Sequence, residues 1–374
     1  MNRTKVSCLQ VSCLLALLLT IAYSPTLVFS LDPLPRESGL KQSSRPGLIL
    51  GQPVIDPNDG TTTQALGKAS ADSWLTGRAP WWNYYCGVGL PLAAEMQSGS
   101  FFFPFVLLLH FRNGIVLLRL CLQLLGGVGT FLLLERLKLK PLASVTGAVL
   151  FCFNGCFAWF QHASMFPLPF LPFTLLGVEL EYQAPYLQKV IVRNAGLVLI
   201  SVSVALSLYS GFPETAYCNG LLAAVWVTAR LVGIAPKFRL AFLFRTVLGS
   251  IIGVALAAPA LLPFFEYVGR SASSHSAFGD AVLPPGGLLR VVLPYIYGPV
   301  QAFNGIGKLP DLLLIWGNIG GYVGSVALTL GCVALFGRKE VALRLSLGVW
   351  AALVLGRTVG IADTVKLFHL IPAT

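Results

Sequence analysis

Residues 113–135 have the sequence NGIVLLRLCLQLLGGVGTFLLLE, an apolar run that a basic segment follows at once. About 20 apolar residues in a helix cross the hydrocarbon core of a bilayer. Arg136, Lys138 and Lys140 come next, and basic residues collect in the cytoplasmic loops of membrane proteins. The stretch therefore predicts a membrane-spanning helix whose C-terminal end faces the cytoplasm.

The composition of the whole chain supports the same class. Of its 374 residues, 55% are hydrophobic and 11% are charged, whereas soluble domains carry about 25% charged residues. Lys and Arg number 26 against 15 Asp and Glu, an excess that we assign to cytoplasmic loops. No basic run is interleaved with aromatic residues, so we expect no nucleic-acid partner. The prediction is an all-α polytopic membrane protein.

Nine apolar segments are long enough to be spans. With nine spans, all clusters of Lys and Arg in the connecting loops fall on the same side of the membrane as Arg3 and Lys5. We therefore predict an uncleaved first helix, a cytoplasmic N-terminus and a place in the inner (plasma) membrane, where the lipid bilayer is itself a partner. The segments are approximately 9–30, 113–135, 142–160, 165–182, 190–210, 214–233, 243–265, 311–337 and 343–361.

Two long polar loops then face the outer compartment, at 31–100 and 266–310. In and after the first loop we predict a short surface helix over Thr61–Leu75 and an interfacial helix over Ser100–Phe111. We treat 1–374 as a single integral membrane domain. Its end directly after a span, without a polar tail, favours a C-terminally truncated chain.

The first outer loop contains the acidic turn Asp56-Pro57-Asn58-Asp59-Gly60. A carboxylate at the membrane surface can take a proton from a sugar hydroxyl, or it can ligate a divalent metal that holds a phosphate. The same composition is ideal for a plain turn. Both interpretations stay open, and the sequence alone decides neither a metal requirement nor any other cofactor.

An aromatic segment follows in the same loop, with Trp81, Trp82 and Asn83 beside the cation Arg78 and before Glu95. Aromatic rings pack on sugar rings, and they also sit at the headgroup level of bilayers. An arginine here can meet a phosphate of a lipid-borne substrate or of the bilayer. Glu95 is a further acidic candidate, for which a salt bridge is an equal alternative.

Other charged residues are weaker candidates. Arg119 lies inside the second span, where charge is costly and points to function, whereas Glu179 and Glu181 are expected to be solvated at the cytoplasmic end of the fourth span. Cys152 and Cys156 lack a companion ligand for a metal. The outer tips and the second loop add four candidate substrate-binding residues, His162, Glu214, Arg270 and Lys308. Motifs of ATPases, serine hydrolases and zinc peptidases are absent from the sequence.

Several short motifs in order resemble those of YfhO-type bacterial membrane proteins. Gly77-Arg78-Ala79-Pro80-Trp81-Trp82-Asn83, followed by Gly87-Val88-Gly89-Leu90-Pro91, is similar to that family's G-x-x-P-L-W-N-P-x-x-x-x-G-x-P pattern. Gly147–Gly155 with His162, Gly211-Phe212-Pro213-Glu214, and Leu262–Glu266 with Ser271 resemble three later motifs. The likeness extends over most of residues 55–330.

That family is similar to the C-class (GT-C) glycosyltransferases, which take a sugar from a polyprenyl-phosphate carrier at the outer face. The resemblance implies a GT-C-like fold and points to Asp59 first and Asp56 second as the working carboxylate. The acceptor would be a cell-envelope glycan or polymer. Two other classes stay open, a transporter or flippase of lipid-linked glycans and a non-catalytic envelope assembly subunit.

Overall fold

The computed structural model describes residues 6–24, 27, 59–111, 114–159, 163–186, 190–270, 288–289, 291–293 and 322–371. Within these ranges the backbone forms thirteen α-helices and no β-strand, so the all-α prediction is confirmed. The helices are α1 Cys8–Ala22, α2 Ala65–Leu75, α3 Gly114–Arg136, α4 Pro141–Cys152, α5 Gly155–Trp159, α6 Leu171–Gln183, α7 Val190–Tyr209, α8 Pro213–Gly233, α9 Pro236–Leu256, α10 Ala258–Arg270, α11 Ser325–Leu335, α12 Val341–Thr358 and α13 Ala362–Phe368.

Five apolar segments of the described chain are long enough to cross a membrane: Gly114–Arg136, Ala163–Tyr186, Pro213–Gly233, Pro236–Leu256 and Val341–Thr358. Four shorter apolar helices lie at Cys8–Ala22, Pro141–Phe157, Asn194–Tyr209 and Ser325–Leu335. Each of the nine overlaps one of the predicted segments. Nine complete spans remain a prediction, because only five of the described helical segments are long and apolar enough to cross a membrane.

Local signals in the sequence explain several helix boundaries. Ser7 and Gln10 form a capping box at the start of α1, with each side chain bonding the other residue's backbone N–H. Pro141 and Pro236 begin α4 and α9, where the missing N–H of proline costs nothing. The predicted helix over Thr61–Leu75 is also present, as a π-helix over Asp59–Gln64 that continues into α2.

The predicted span 243–265 is wrong in its bounds. The apolar helix α9 begins seven residues earlier, at Pro236, and ends at Leu256, and α10 begins at Ala258. Pro259 explains the break, because it has no N–H to donate to the preceding turn and its ring would clash with the carbonyl of Ala255 in a continuous helix. The predicted span 142–160 is likewise interrupted, between Cys152 and Gly155.

The chain divides into two compact units. Unit 1 comprises residues 1–153, 161–223 and 235–271, and unit 2 comprises 154–160, 224–234 and 272–374. In unit 1, α3 packs on α1, α4 and α6, and α7 packs on α6 and α9. Gly196 of α7 lies against α6 so closely that an added Cβ would stand 2.8 Å from the backbone oxygen of Gly177.

A buried ion pair joins three helices of unit 1 and overturns one expectation. Glu179 and Glu181 of α6 are each 1% exposed, so the prediction that they are solvated is wrong. Arg245 of α9 donates from Nε and Nη2 to the two carboxylate oxygens of Glu181, at 2.6 and 3.1 Å. Its Nη2 also donates to Oδ1 of Asn194 on α7, at 3.1 Å. The guanidinium group of Arg245 offsets the cost of burying this carboxylate, because it donates a hydrogen bond to each of the two oxygens.

Unit 2 has its own polar and aromatic contacts. Arg230 near the end of α8 is buried and donates to the carboxylate of Glu340 before α12. Arg344 donates to the carbonyl oxygens of the last turn of α11. The rings of Trp350 and Phe368 lie 5.8 Å apart, which packs α13 on α12.

Candidate functional site

The described part of the first polar loop is folded against one end of unit 1. Ala71 of α2 and Phe102 and Val106 of the following turns share a core with Tyr23 after α1 and with Phe166 before α6. The predicted interfacial helix over Ser100–Phe111 is instead a 3-10 helix, Phe105–His110. Its Val106 and Leu109 are buried in that core, whereas Phe103 and Phe111 are exposed, so one face of the segment packs inward. Its position at a membrane interface stays a prediction.

Hydroxyl groups and a tryptophan fix the shape of this loop. Ser98 Oγ and Ser100 Oγ lie 2.7 Å apart, and they lie 2.9 and 3.1 Å from the carbonyl oxygen of Leu92, so one hydroxyl donates to that oxygen and the other to its neighbour or to the same oxygen. Ser70 Oγ of α2 lies 3.2 Å from Ser100 Oγ. Trp74 Nε1 donates to the backbone oxygen of Ser100 at 2.7 Å. These bonds tie α2 to the turns that follow it.

The π-helix Asp59–Gln64 packs on the 3-10 turn Met96–Ser98, and this contact leaves two polar atoms without partners. Thr63 is 1% exposed, and its Oγ1 has no hydrogen bond within the described chain. Oε1 of Gln97 is also buried and unsatisfied there. Buried polar groups are nearly always hydrogen-bonded, and exceptions are informative.

Glu95 directly precedes this turn and is the best placed acid of the described loop. Its side chain is partly buried, and burial raises the pKa of its carboxyl above the ordinary value. Among the described residues no cation forms an ion pair with it, so nothing there compensates the desolvation. A raised pKa brings a carboxyl closer to the pH at which it can accept and return a proton.

The helix ends around Glu95 come from distant parts of the sequence. Met96 packs against Ala257 and Leu261, at the junction of α9 and α10. An added Cβ on Gly211 would stand 2.5 Å from the backbone oxygen of Met96, and its φ of +98° also favours glycine. The tip before α8 therefore meets the first loop. Glu214 is exposed in the first turn of α8.

The aromatic segment is held by its own backbone. Asn83 and Leu90 form an antiparallel bridge, with N···O distances of 2.8 and 3.0 Å. Asn83 is buried, and its Oδ1 accepts from the backbone N–H of Tyr85 at 3.0 Å. Its carboxamide oxygen is therefore engaged within the loop. Trp81 and Trp82 stay about half exposed, which leaves their rings open to a ligand or to lipid.

Two of the predicted cations, Arg78 and Arg270, are described, and both are exposed. Arg78 is exposed and forms no ion pair within the described ranges. Arg270, at the end of α10, is exposed and pairs through Nη2 with Glu266 Oε1 at 2.9 Å. Three predicted site residues, Asp56, His162 and Lys308, lie outside the described residues, as does the side chain of Asp59.

One group of titratable residues was missed by the sequence analysis. Nδ1 of His110 lies 2.6 Å from Oδ1 of Asp72, and Lys68 Nζ lies 3.1 Å from Asp72 Oδ2. Burial alone would raise the pKa of Asp72, but hydrogen bonds from His110 and Lys68 outweigh it and hold that pKa below its ordinary value. The spacing of Lys68 and Asp72 on α2 was a signal, whereas nothing local indicated His110.

A second polar cluster lies inside the bundle. Arg119 of α3 is buried, with its guanidinium carbon 5.1 Å from the ring centre of Tyr23. One turn later, Gln123 Nε2 donates to the carbonyl oxygen of Cys152 at 3.0 Å. The Cys152 thiol donates in return to the carbonyl oxygen of Gln123 at 3.1 Å. The thiol thus has a structural partner on α3.

Neither a metal-binding cluster in the described part of the chain nor a relative of known function was found. Among the described residues, no group of three or more His, Cys, Asp or Glu side chains is arranged to hold a metal ion. No protein-family model, curated protein or solved structure matches the chain. The resemblance to YfhO-type proteins therefore remains a prediction from motifs.

Proposed function

We propose that the chain is a multi-pass membrane protein that transfers a sugar from a polyprenyl-phosphate carrier to an envelope glycan or polymer at the outer face. The observation that carries the proposal is the position of Glu95, a partly buried carboxyl in the folded first loop with no ion-pair partner in the described chain. It lies in a folded loop at one end of a bundle of apolar helices. An acid in that position can exchange a proton with a substrate held at the membrane surface.

Asp59 belongs to the same proposed site. It begins the π-helix that packs on the turn directly after Glu95. Asp59, with Asp56 as second choice, remains the carboxylate favoured by the family resemblance, and Glu95 is the one favoured by its environment. In the same turns, Thr63 Oγ1 and Gln97 Oε1 are buried and have no hydrogen bond within the described chain.

Sugar transfer requires a residue that accepts the hydroxyl proton and a cation that stabilises the departing phosphate. The oxygen of an acceptor hydroxyl bonds to the anomeric carbon while the bond from that carbon to the carrier phosphate breaks. The hydroxyl proton passes to a carboxylate, Asp59 or Glu95. The departing phosphate takes the electron pair, and Arg78 is the cation of the first loop that can stabilise its charge. Arg270 and Lys308 are proposed for the same task from the second loop.

The test is sugar transfer by the full-length chain in lipid vesicles with a panel of radiolabelled polyprenyl-phosphate sugars. Replacement Glu95→Gln or Asp59→Asn removes one proton acceptor, and loss of a general base lowers a rate by roughly 10²–10⁴-fold. Glu135→Gln is the matched control, because Glu135 is an exposed carboxylate at the far end of α3. Full activity in both loop variants would refute the assignment of the base.

A transporter or flippase of lipid-linked glycans is the second candidate, and the buried cluster of Arg119, Gln123 and Tyr23 favours it. Charged residues inside spans commonly mark a path for a polar substrate. Translocation of a fluorescent lipid-linked glycan would then fall in Arg119→Gln but not in Arg239→Gln, which changes an exposed cation. If the folded protein showed neither sugar transfer nor translocation, the non-catalytic assembly subunit would be favoured.

A further inference from the structure

The middle of the first loop is an uncharged surface that projects from the fold. Residues 79–94 contain no charged side chain, although Arg78 and Glu95 flank them directly. At the tip, Tyr84, Tyr85 and Val88 are 78%, 91% and 101% exposed. Contiguous apolar groups exposed in this way mark a surface that contacts something else. We call residues 81–90 the aromatic loop.

The base of the aromatic loop holds its tip outward. The bridge between Asn83 and Leu90 closes the loop, and a further turn forms where Gly89 N–H donates to the carbonyl oxygen of Cys86 at 2.7 Å. The indole of Trp82 covers Gly89 so closely that an added Cβ would stand 2.0 Å from Trp82 Nε1. Exposure of the tip is therefore a property of a folded loop with a fixed base.

Ring contacts place this base at the level where apolar helices end. The ring of Trp81 lies 4.8 Å from that of Phe101, which lies 6.3 Å from Tyr209. Tyr209 is the last residue of α7, and its hydroxyl donates to the carbonyl oxygen of Leu256, the last residue of α9. The end of a spanning helix lies at the headgroup layer, where Trp and Tyr are enriched in membrane proteins.

We propose that the aromatic loop inserts its tip into the interfacial layer of the bilayer beside the helix bundle, so that its partner is a lipid surface. An uncharged tip enters that layer without burying a charge, and tyrosines keep their hydroxyl groups at its polar edge. A sugar would need polar partners, and the carboxamide oxygen of Asn83 is already engaged. The proposal rests on the membrane placement proposed above and is independent of the transferase activity.

The depth of Cys86 in a bilayer tests the proposal, because this exposed thiol lies in the tip. The full-length chain, with the five other exposed cysteines changed to alanine, carries a nitroxide on Cys86 in phosphatidylethanolamine–phosphatidylglycerol vesicles. Thr76→Cys in the same background, with Cys86→Ala, is the control, since Thr76 is exposed on the same loop before the uncharged run. Collisions with oxygen report lipid, and collisions with a water-soluble nickel chelate report water.

We expect oxygen collisions to dominate at Cys86 and chelate collisions to dominate at residue 76. Equal access of the chelate to both labels would overturn the proposal, and so would shielding of Cys86 only after polyprenyl phosphate is added, which would assign the tip to substrate. A second measurement avoids cysteine changes: brominated phospholipids should quench less of the tryptophan emission in Trp82→Phe than in the unchanged chain. Equal quenching would also contradict insertion. Sugar transfer is measured separately, so its failure leaves this result interpretable.

Discussion

Breaking the ion pair between Glu181 and Arg245 should give an asymmetric loss of stability. The side chain of Glu181 is 0% exposed, whereas the side chain of Arg245 is 24% exposed. Arg245→Met leaves a buried carboxylate without its guanidinium, which costs about 3–5 kcal/mol. Glu181→Gln leaves an arginine that reaches solvent and keeps Asn194 as a partner, so we expect about 1–2 kcal/mol, near the value of one charge-assisted hydrogen bond.

The double variant should be more stable than Arg245→Met alone, because it removes the buried charge together with its partner. The assay is unfolding of the purified chain by sodium dodecyl sulfate, followed by circular dichroism, with the free energy of unfolding compared among the four chains. The reasoning fails if Glu181→Gln costs as much as Arg245→Met, or if the double variant is the least stable of all.

Three further predictions concern unit 1. Asp72→Asn should cost less than about 1 kcal/mol, because the contact of Asp72 with His110 and Lys68 is half exposed. Since the fold lowers the pKa of Asp72, this stabilisation is present above the ordinary aspartate pKa and is lost as pH falls through the lowered value. Unfolding measured as a function of pH checks this. Gly196→Ala should cost about 1–3 kcal/mol in the same assay, because its Cβ would stand 2.7 Å from a carboxylate oxygen, whereas Gly220→Ala, with open space around it, should be neutral or stabilising. Trp74→Phe removes the bond to Ser100 and should cost about 1 kcal/mol; no change in unfolding would show that this bond does not hold α2 in place.

Much of the helical framework follows from apolar runs of sufficient length. The runs at 113–135 and 343–361 are helices because a long apolar segment has few alternatives. The run at 243–265 misled, since hydropathy treats Pro259 as one residue of a span and does not register the broken hydrogen bond. The polarity of 59–75 around Gly60 and Gly77 was enough to predict α2.

The site was less predictable, because its residues meet through tertiary packing. Asp72 and His110 are 38 positions apart, and no local pattern links them. Glu181 was expected in solvent because it lies near the cytoplasmic end of a predicted span, and no local pattern links it to Arg245, 64 positions later. Glu95 was visible only as an acid in a loop; its desolvation comes from the turns that fold around it.

The pairing of Glu181 with Arg245 also bears on how the chain is synthesised. The two residues are 64 positions apart, and ribosomes add about 5–20 residues per second. Glu181 therefore leaves the ribosome roughly 3–13 s before its partner does. In the proposed membrane placement, a carboxylate without a partner is costly in lipid. We expect α6 to stay in the insertion machinery until α9 arrives, so that the two helices enter the bilayer together.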